Sequence, residues 1–488
     1  MNLYLIGHDY RYAAEQMLLT LFPDERPVYP DGRPTGDRAE LRLMSGTKVT
    51  TVTCVLVYHG QTANGRTSVP NEELTDPNET DRRLQGAVKR AFYRAAMGIG
   101  LPHRPWGMLT GVRPGKLMTP LLAQGMGDVQ AARYFERHYD VAPARAALVV
   151  RTAHATLRAM DSLGEKDVCL YVGIPFCPTR CAYCSFVSAD VQKALKLVEP
   201  YLQLLLEEVD ATGRALREAG LTVRSFYMGG GTPTTLSADQ LDRLLTRCEQ
   251  SLPLGDCIEY TVEAGRPDTI TREKLAVLSR HKIGRISINP QTLEDQVLQA
   301  IGRRHRAGDI QAAFSLAREV GFDCVNMDLI AGLPGDTPDG FRATLEQVLA
   351  LAPENVTVHT LSRKRGSNLM AQDAPIPDGA AVGEMLDFAG TVLPRAGYAP
   401  YYLYRQKFMS GGFENVGWTR PGQENLYNIC IMEELCSILA MGGGASTKLV
   451  RPNGGKLERH IDPKYPTEYI ANIDRICAAK AELEAFFQ

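Results

Sequence analysis

The stretch Gly173–Phe186, GIPFCPTRCAYCSF, places three thiols, Cys177, Cys181 and Cys184, within eight residues. A disulfide would use two of them and strand the third. A structural zinc site calls for four ligands, and no second Cys or His pair at zinc-like spacing follows, because His281 and His305 stand alone. Cys-x3-Cys-x2-Cys instead lets one loop wrap three corners of a cubane [4Fe–4S] cluster, leaving the fourth iron without a protein ligand. An open coordination position marks a metal site that does chemistry rather than one that only carries electrons. The other eight cysteines, Cys54, Cys169, Cys248, Cys257, Cys324, Cys430, Cys436 and Cys477, are scattered. They read as buried small hydrophobes rather than disulfide partners.

Such a loop needs a scaffold, and from about residue 168 the chain supplies a regular one. VCLYVGI (168–174), VRSFYMGG (223–230), IEYTVEAG (258–265), GRISINP, CVNMDLIAG and NVTVHTL are short apolar runs of strand character. Between them lie helices: KALKLVEPYLQLLLEEVDATGRALREAG, expected to start at Pro200; 237–251, capped by Ser237; TREKLAVLSRHK, capped by Thr271; then 293–300, 308–320 and 338–351. Six strands alternating with helices predict an α/β fold, a parallel sheet curved into a partial (β/α)6 barrel. Folds of this kind gather ligands at the carboxyl ends of their strands.

Those ends carry polar groups. GGGTPT (Gly229–Thr234) follows the second strand, and its glycines would allow close backbone approach, leaving amide donors and a hydroxyl for a carboxylate or amine. Glu263 ends the third strand, Gln291 the fourth and Asp328 the fifth. A polar side chain at the end of an apolar strand is costly unless satisfied, so three in succession indicate a shared site. His359 ends the sixth strand and faces the same place.

Composition sets the outer bounds. The 488 residues suffice for two or three domains, and 44% hydrophobic with 23% charged residues is ordinary for a globular protein. A net charge of −2 gives no bulk attraction to nucleic acid or acidic membranes. No apolar run approaches the roughly 20 residues of a membrane span, and the start, MNLYLIGHDYRYAAEQ, lacks the features of a signal peptide. The expectation is a cytoplasmic protein. Residues 1–100 read as a small α/β accessory domain and 101–164 as a helical linker. The core is expected over 165–365, with a substrate-covering region over 366–488. The helix RRLQGAVKRAFYRAAMG presents a basic face of Arg82, Arg83, Lys89, Arg90 and Arg94.

The cysteine run, with Tyr183 just before its last thiol, resembles the signature of the radical S-adenosylmethionine (SAM) enzymes. In that superfamily the open iron chelates the amino and carboxylate groups of SAM, which is cleaved reductively to methionine and a 5′-deoxyadenosyl radical. LYVGIPFC, GGGTP, RISINPQ, IGRRH and NMDLIAGLPGDT resemble, more narrowly, the oxygen-independent coproporphyrinogen III oxidase group. WGMLTGVRPGKL, YYLYRQKFMSGGFENVGW and YNICIMEELCSILAMGGGASTKL are most similar to its HemZ branch, the coproporphyrinogen dehydrogenases. The resemblance implies that Tyr171 lies beside SAM and that Gly230, Gly231 and Thr232 form the amino-group loop. It also implies that Glu263, Gln291, Arg303 and Asp328 contact SAM's carboxylate, ribose or adenine, and that the residue at His359 touches SAM through its backbone.

The implied reaction is oxidative decarboxylation of coproporphyrinogen III to protoporphyrinogen IX, with electrons from a low-potential donor such as flavodoxin or ferredoxin. Four propionates call for cations. Arg363, Lys364, Arg365, Arg405, Lys407 and Lys448 are the candidates, with Arg420 and Arg451 nearby. Tyr401, Tyr402 and Tyr404 could cover the macrocycle or belong to the core. Two features depart from the principal oxidase: Gly173 stands where it has histidine, and Phe186 where it has a fourth cysteine. The related haem chaperone HemW ends in a His-Asn-x-x-Tyr-Trp haem motif, whose nearest counterpart here, ENLYN, lacks both His and Trp. A haem carrier with a regulatory cluster, a radical SAM methyltransferase and a haem-opening enzyme remain alternatives on the same scaffold.

Overall fold

The computed structural model describes residues 1–184, 189–362, 375–406, 410–451 and 457–487. Packing divides the chain into two units, Met1–Pro114 with Gly125–Val150, and Gly115–Gln124 with Arg151–Gln488. The helices between 115 and 161 are shared out between the two. No helix among the described residues is long and apolar enough to cross a membrane.

The first unit is built on four strands, β1 (Asn2–Ile6), β2 (Arg38–Ser45), β3 (Val49–Tyr58) and β4 (Gln61–Pro70), hydrogen-bonded in that order. β1 runs parallel to β2 and the remaining pairs are antiparallel. Helices Arg11–Leu21 and Pro77–Gly98 bury Met17, Leu18, Val88 and Phe92 against Leu3, Leu41 and Val52. β4 was not legible as a strand. Its sequence, QTANGRTSVP, is polar, and Gly65 is there because a Cβ would fall 1.9 Å from the Ala91 carbonyl of the covering helix. The basic helix face is bonded within this unit: Arg82 and Arg83 to Glu79, Lys89 to Thr110, Arg90 to the His138 carbonyl and Arg94 to that of Arg66.

In the second unit the strands are β5 (Asp167–Ile174), β6 (Phe176–Cys177), β7 (Ala189–Asp190), β8 (Thr222–Gly230), β9 (Glu259–Gly265), β10 (Arg285–Ile288), β11 (Cys324–Ala331), β12 (Asn355–Thr360), β13 (Ala399–Arg405), β14 (Glu414–Thr419), β15 (Ser437–Gly442), β16 (Ser446–Leu449) and β17 (Glu458–Ile461). Eleven of these form one sheet in the order 13-14-12-11-10-9-8-5-15-16-17. The expected six strands, β5 and β8 to β12, are parallel, and β15 joins them as a seventh alongside β5. The architecture is mixed α/β. Among the described residues the outermost strands, β13 and β17, do not pair with each other.

Alternation along these strands sorts the side chains. Leu170, Phe226, Met228, Val262, Ile286, Val325, Met327 and Leu329 are fully buried on one face. The register aligns Tyr171, Tyr227, Glu263, Ser287, Asn326, Asp328, Thr357 and His359 on the other. A parallel sheet thus keeps an apolar side while one face collects polar groups. Lower on that face, the rings of Tyr171, Tyr227 and Tyr427 stack, with the closest pair 4.5 Å apart. Tyr401 and Tyr402, read from sequence as either covers for a macrocycle or core, pack into the same cluster.

Ser237 caps its helix in a capping box with Gln240, and Thr271 caps the next, as expected. Pro200 does not start its helix, which runs Leu195–Glu218 with the proline in its second turn. Pro200 forfeits one backbone bond there, while Val198, Tyr201, Leu202 and Leu205 bury the face that carries the helix.

Candidate functional site

Beyond Ile174 the chain leaves the sheet as β6, whose parallel pairing with β7 closes the cysteine loop at its base. Backbone bonds also anchor it: the Ala182 N–H donates to the Ile301 carbonyl at 3.0 Å, and the Cys184 N–H to the Cys181 carbonyl at 3.1 Å. Donors from outside the loop reach its sulfurs. Thr232 Oγ1 lies 3.6 Å from Cys177 Sγ, and Arg266 Nη1 lies 3.9 Å from Cys181 Sγ. Arg266 also donates to the Thr179 carbonyl and hydroxyl, while Asp268 holds the other side of its guanidinium in a two-point ion pair. No disulfide joins any of the eleven cysteines.

The glycine loop serves this arrangement in a way the sequence did not suggest. Two of its amides are bonded to the neighbouring segment: the Gly231 N–H donates to the Ile174 carbonyl and the Thr232 N–H to the Phe176 carbonyl. The close approach is to the cysteine loop itself. A Cβ on Gly231 would sit 2.4 Å from the Phe176 carbonyl oxygen and 3.0 Å from Cys177 Sγ. Gly229 similarly makes room for the Glu263 carboxylate, 2.9 Å from where its Cβ would be.

All three cysteines line a cavity of about 280 Å³ together with Tyr183, Gly230, Gly231, Thr232, Glu263, Gln291, Arg303, Asp328 and His359. These come from strand ends and loops far apart in sequence. Gln291 adopts a left-handed backbone (φ 67°), fixed by its N–H on the Asp328 carbonyl and its own carbonyl on the Ile330 N–H. A non-glycine residue held there stores strain of a kind that clusters at functional sites. Arg303 donates to the Asn289 carbonyl at 2.8 Å and the Tyr183 hydroxyl at 3.1 Å, while its buried Nε has no partner among the described residues.

The two carboxylates of the cavity differ. Withdrawal from water pushes the Glu263 carboxyl up to about 7, Asp328 adding to the rise although the Tyr227 hydroxyl donates to it at 2.6 Å. Burial works on Asp328 in the same sense, but His359, Asn326 and Thr357 outweigh it and hold that group below its ordinary value. Between pH 4.5 and 7 the folded chain therefore keeps a proton on Glu263 that the unfolded chain has released. Stability from this group falls as pH rises through that window and levels off above 7. The Glu263→Gln variant should lose this component, about 3 kcal/mol across the window. Denaturant titrations of both proteins at pH 5 and 8 measure it, and an equal pH dependence in the two would refute it.

Of the expected SAM contacts only Tyr171 lies off the cavity wall, in the tyrosine stack behind Glu263. Of the expected propionate cations, Arg405 and Lys448 are among the described residues, and neither lines the cavity. Arg363, Lys364, Arg365, Lys407 and also Phe186 lie outside the described residues. Arg405 is drawn into β13, donates to the Gly412 carbonyl and is pushed down to about 10 by burial. Lys448 donates to the Ile431 carbonyl and sits opposite Ile438, at the amino-terminal end of β15 and away from the cysteines, because the antiparallel β16 runs back down the sheet. Arg420 stacks on Tyr398 and Arg451 on Phe486. Among the described residues, the region after β12 brings Leu361, Ser362, Tyr404, Gln406 and Asn415 to the cavity, the Tyr404 hydroxyl standing 3.4 Å from His359 Nδ1. Gly173 is closely packed, a Cβ there falling 3.2 Å from the Gly443 carbonyl oxygen.

Arg266, Thr179 and Asn289 escaped the sequence reading. Arg266 lies three residues after Glu263, a spacing that could have flagged it, but an arginine after a strand ordinarily reads as solvated.

Three sulfurs with no competing nitrogen or carboxylate in their loop, and hydrogen-bond donors turned toward two of them, fit an iron–sulfur cluster. The unpartnered Arg303 nitrogen and the carboxylates beside it fit a small zwitterionic ligand.

Comparison with known proteins gives the same picture. The radical SAM superfamily profile matches residues 171–348. The chain is 39% identical to the oxygen-independent coproporphyrinogen-III oxidase-like protein HemZ of Bacillus subtilis, over 84% of each chain. It is 29% identical to the haem chaperone HemW of Haemophilus influenzae, over 62% of this chain and 75% of that one. Identity to the anaerobic coproporphyrinogen III oxidase 1 of Cereibacter sphaeroides is also 29%, over 61% and 62%. Among solved structures, coproporphyrinogen III oxidase (HemN) of Escherichia coli, a radical SAM enzyme, aligns with a TM-score of 0.52 at 26% identity, over 66% of this chain and 72% of that one.

Proposed function

Because the chain belongs to the radical SAM family of oxygen-independent coproporphyrinogen-III oxidase-like proteins, we propose that it converts propionates of coproporphyrinogen III to vinyl groups, giving protoporphyrinogen IX. The superfamily's cofactors are a [4Fe–4S] cluster and SAM, which together supply a 5′-deoxyadenosyl radical. On this reading Cys177, Cys181 and Cys184 hold the cluster, and Arg266 and Thr232 steady the loop and its sulfurs. Glu263, Gln291, Arg303 and Asp328 bind the polar parts of SAM. His359, Tyr404, Gln406 and Asn415 border the space for the substrate. Each turnover would remove one hydrogen atom from the β-carbon of a propionate; CO2 then leaves, one electron passes to an external one-electron acceptor, and a vinyl group remains. Two propionates react per substrate.

The observation that carries this reading is the gathering of three thiols and four polar residues from separate strand ends around one cavity. Haem capture through ENLYN is disfavoured, because Asn425 caps a helix and Tyr427 is locked in the tyrosine stack. The test is anaerobic incubation of the reconstituted protein with SAM, a strong reductant and coproporphyrinogen III. Vinyl-bearing product, CO2 and 5′-deoxyadenosine are expected. Stable haem binding without turnover, or a methylated or ring-opened product, would overturn the proposal.

A further inference from the structure

Cys169, Cys430 and Cys436 come from three segments and meet at the opposite end of β5 from the cysteine loop. Cys169 lies near the start of β5, Cys430 in the helix Leu426–Glu433, and Cys436 immediately before β15. Their sulfurs all lie within 4.8 Å of one another, and those of Cys169 and Cys436 are 3.6 Å apart without being bonded. The chain is bent to bring them there. Glu434 takes a left-handed backbone (φ 57°) and the Leu435 N–H returns to the Cys430 carbonyl, turning Cys436 back onto the helix it has just left. Cys169 and Cys430 have no exposed surface, and Cys436 is 8% exposed.

We infer that Cys169, Cys430 and Cys436 form a second metal site that takes one thiophilic divalent ion of the zinc type. Spacing selects a single ion: two sulfurs at about 2.3 Å from a tetrahedral zinc lie roughly 3.8 Å apart, close to the 3.6 Å between Cys169 and Cys436, and Cys430 lies within 4.8 Å of both. An all-sulfur donor set selects a soft ion over calcium, magnesium or manganese. Three protein ligands leave a fourth position, and Cys436 lines a separate cavity of about 360 Å³ whose wall includes Glu165, Asp167 and Glu434. That cavity provides a route in for the ion and a place for a water as the fourth ligand. Each thiol releases its proton to solvent on binding, and no electron is transferred. The strand from Cys169 to Ile174 spans roughly 16 Å, so this site is distinct from the one at Cys177 and does not depend on the proposed function.

Its test uses anaerobically purified, cluster-reconstituted full-length protein and Zn(II) alone as the probe. Expected are one equivalent of zinc retained through gel filtration against a competing chelator and an unchanged iron content. The Cys430→Ala and Cys436→Ala variants should bind that zinc at least 100-fold more weakly while cleaving SAM at the wild-type rate. Cd(II) added to the wild type gives a reading that needs no variant: a thiolate-to-metal charge-transfer band that saturates at one equivalent. No retained zinc, zinc that enters only by displacing iron, or a Cys169–Cys436 disulfide in the anaerobically purified protein would each overturn the assignment.

Discussion

Replacing Cys177, Cys181 and Cys184 together by alanine should abolish both iron retention and formation of 5′-deoxyadenosine from SAM. The effect is expected to be complete because the groups that reach these sulfurs among the described residues include Thr232, a hydroxyl, and Arg266, a cation that repels metal, neither of which replaces a thiolate. The fold should survive, since the loop is anchored by backbone bonds at Ala182, Ala189 and Val191 rather than by the sulfurs. Iron and sulfide assays, circular dichroism and a deoxyadenosine assay on the same preparation give the answer. Deoxyadenosine still formed by a folded triple variant would show the site assignment to be wrong.

A single methyl group at Gly231 should be nearly as damaging. Its Cβ would be driven against the Phe176 carbonyl at 2.4 Å, and that atom is backbone, held by the Thr232 N–H. The clash is relieved only by moving the glycine loop or the cysteine loop by several tenths of an ångström. Misplacement on this scale near reacting groups costs on the order of 100-fold in rate. Gly231→Ala is therefore expected to cut SAM cleavage about 100-fold. Gly255→Ala, where nothing lies within 4 Å of the added carbon, serves as the control, and its stability should shift by less than about 0.5 kcal/mol. Equal cleavage rates in the two variants would contradict the role given to the glycine.

The strands that carry the site were legible because each is a short apolar run between turn signals, and their polar ends broke that pattern at Glu263, Gln291 and Asp328. The helix caps Ser237 and Thr271 were legible for a local reason, the side chain closing onto an amide three residues on. β15 was not. SILAMG is buried throughout, and a short unbroken apolar run carries no periodicity to separate strand from helix. Its identity follows from its seat beside β5, which is tertiary information. The same distinction explains Lys448, close in sequence to the motif residues but carried to the far end of the sheet by the reversal into β16. Glycines 229–231 were recognised as a site of close approach, and the approach is to the neighbouring cysteine loop and the Glu263 carboxylate. The cysteines at 169, 430 and 436 looked scattered because their nearness depends on parallel pairing of strands some 270 residues apart.

The central claim is that three sulfurs hold a cluster whose remaining iron is open to SAM. Electron paramagnetic resonance of the dithionite-reduced, reconstituted protein tests this most directly, recorded with and without SAM. A [4Fe–4S]+ signal whose g-values change when SAM is added is the predicted result. A signal that SAM leaves untouched, or a reduced protein with no such cluster, would contradict it.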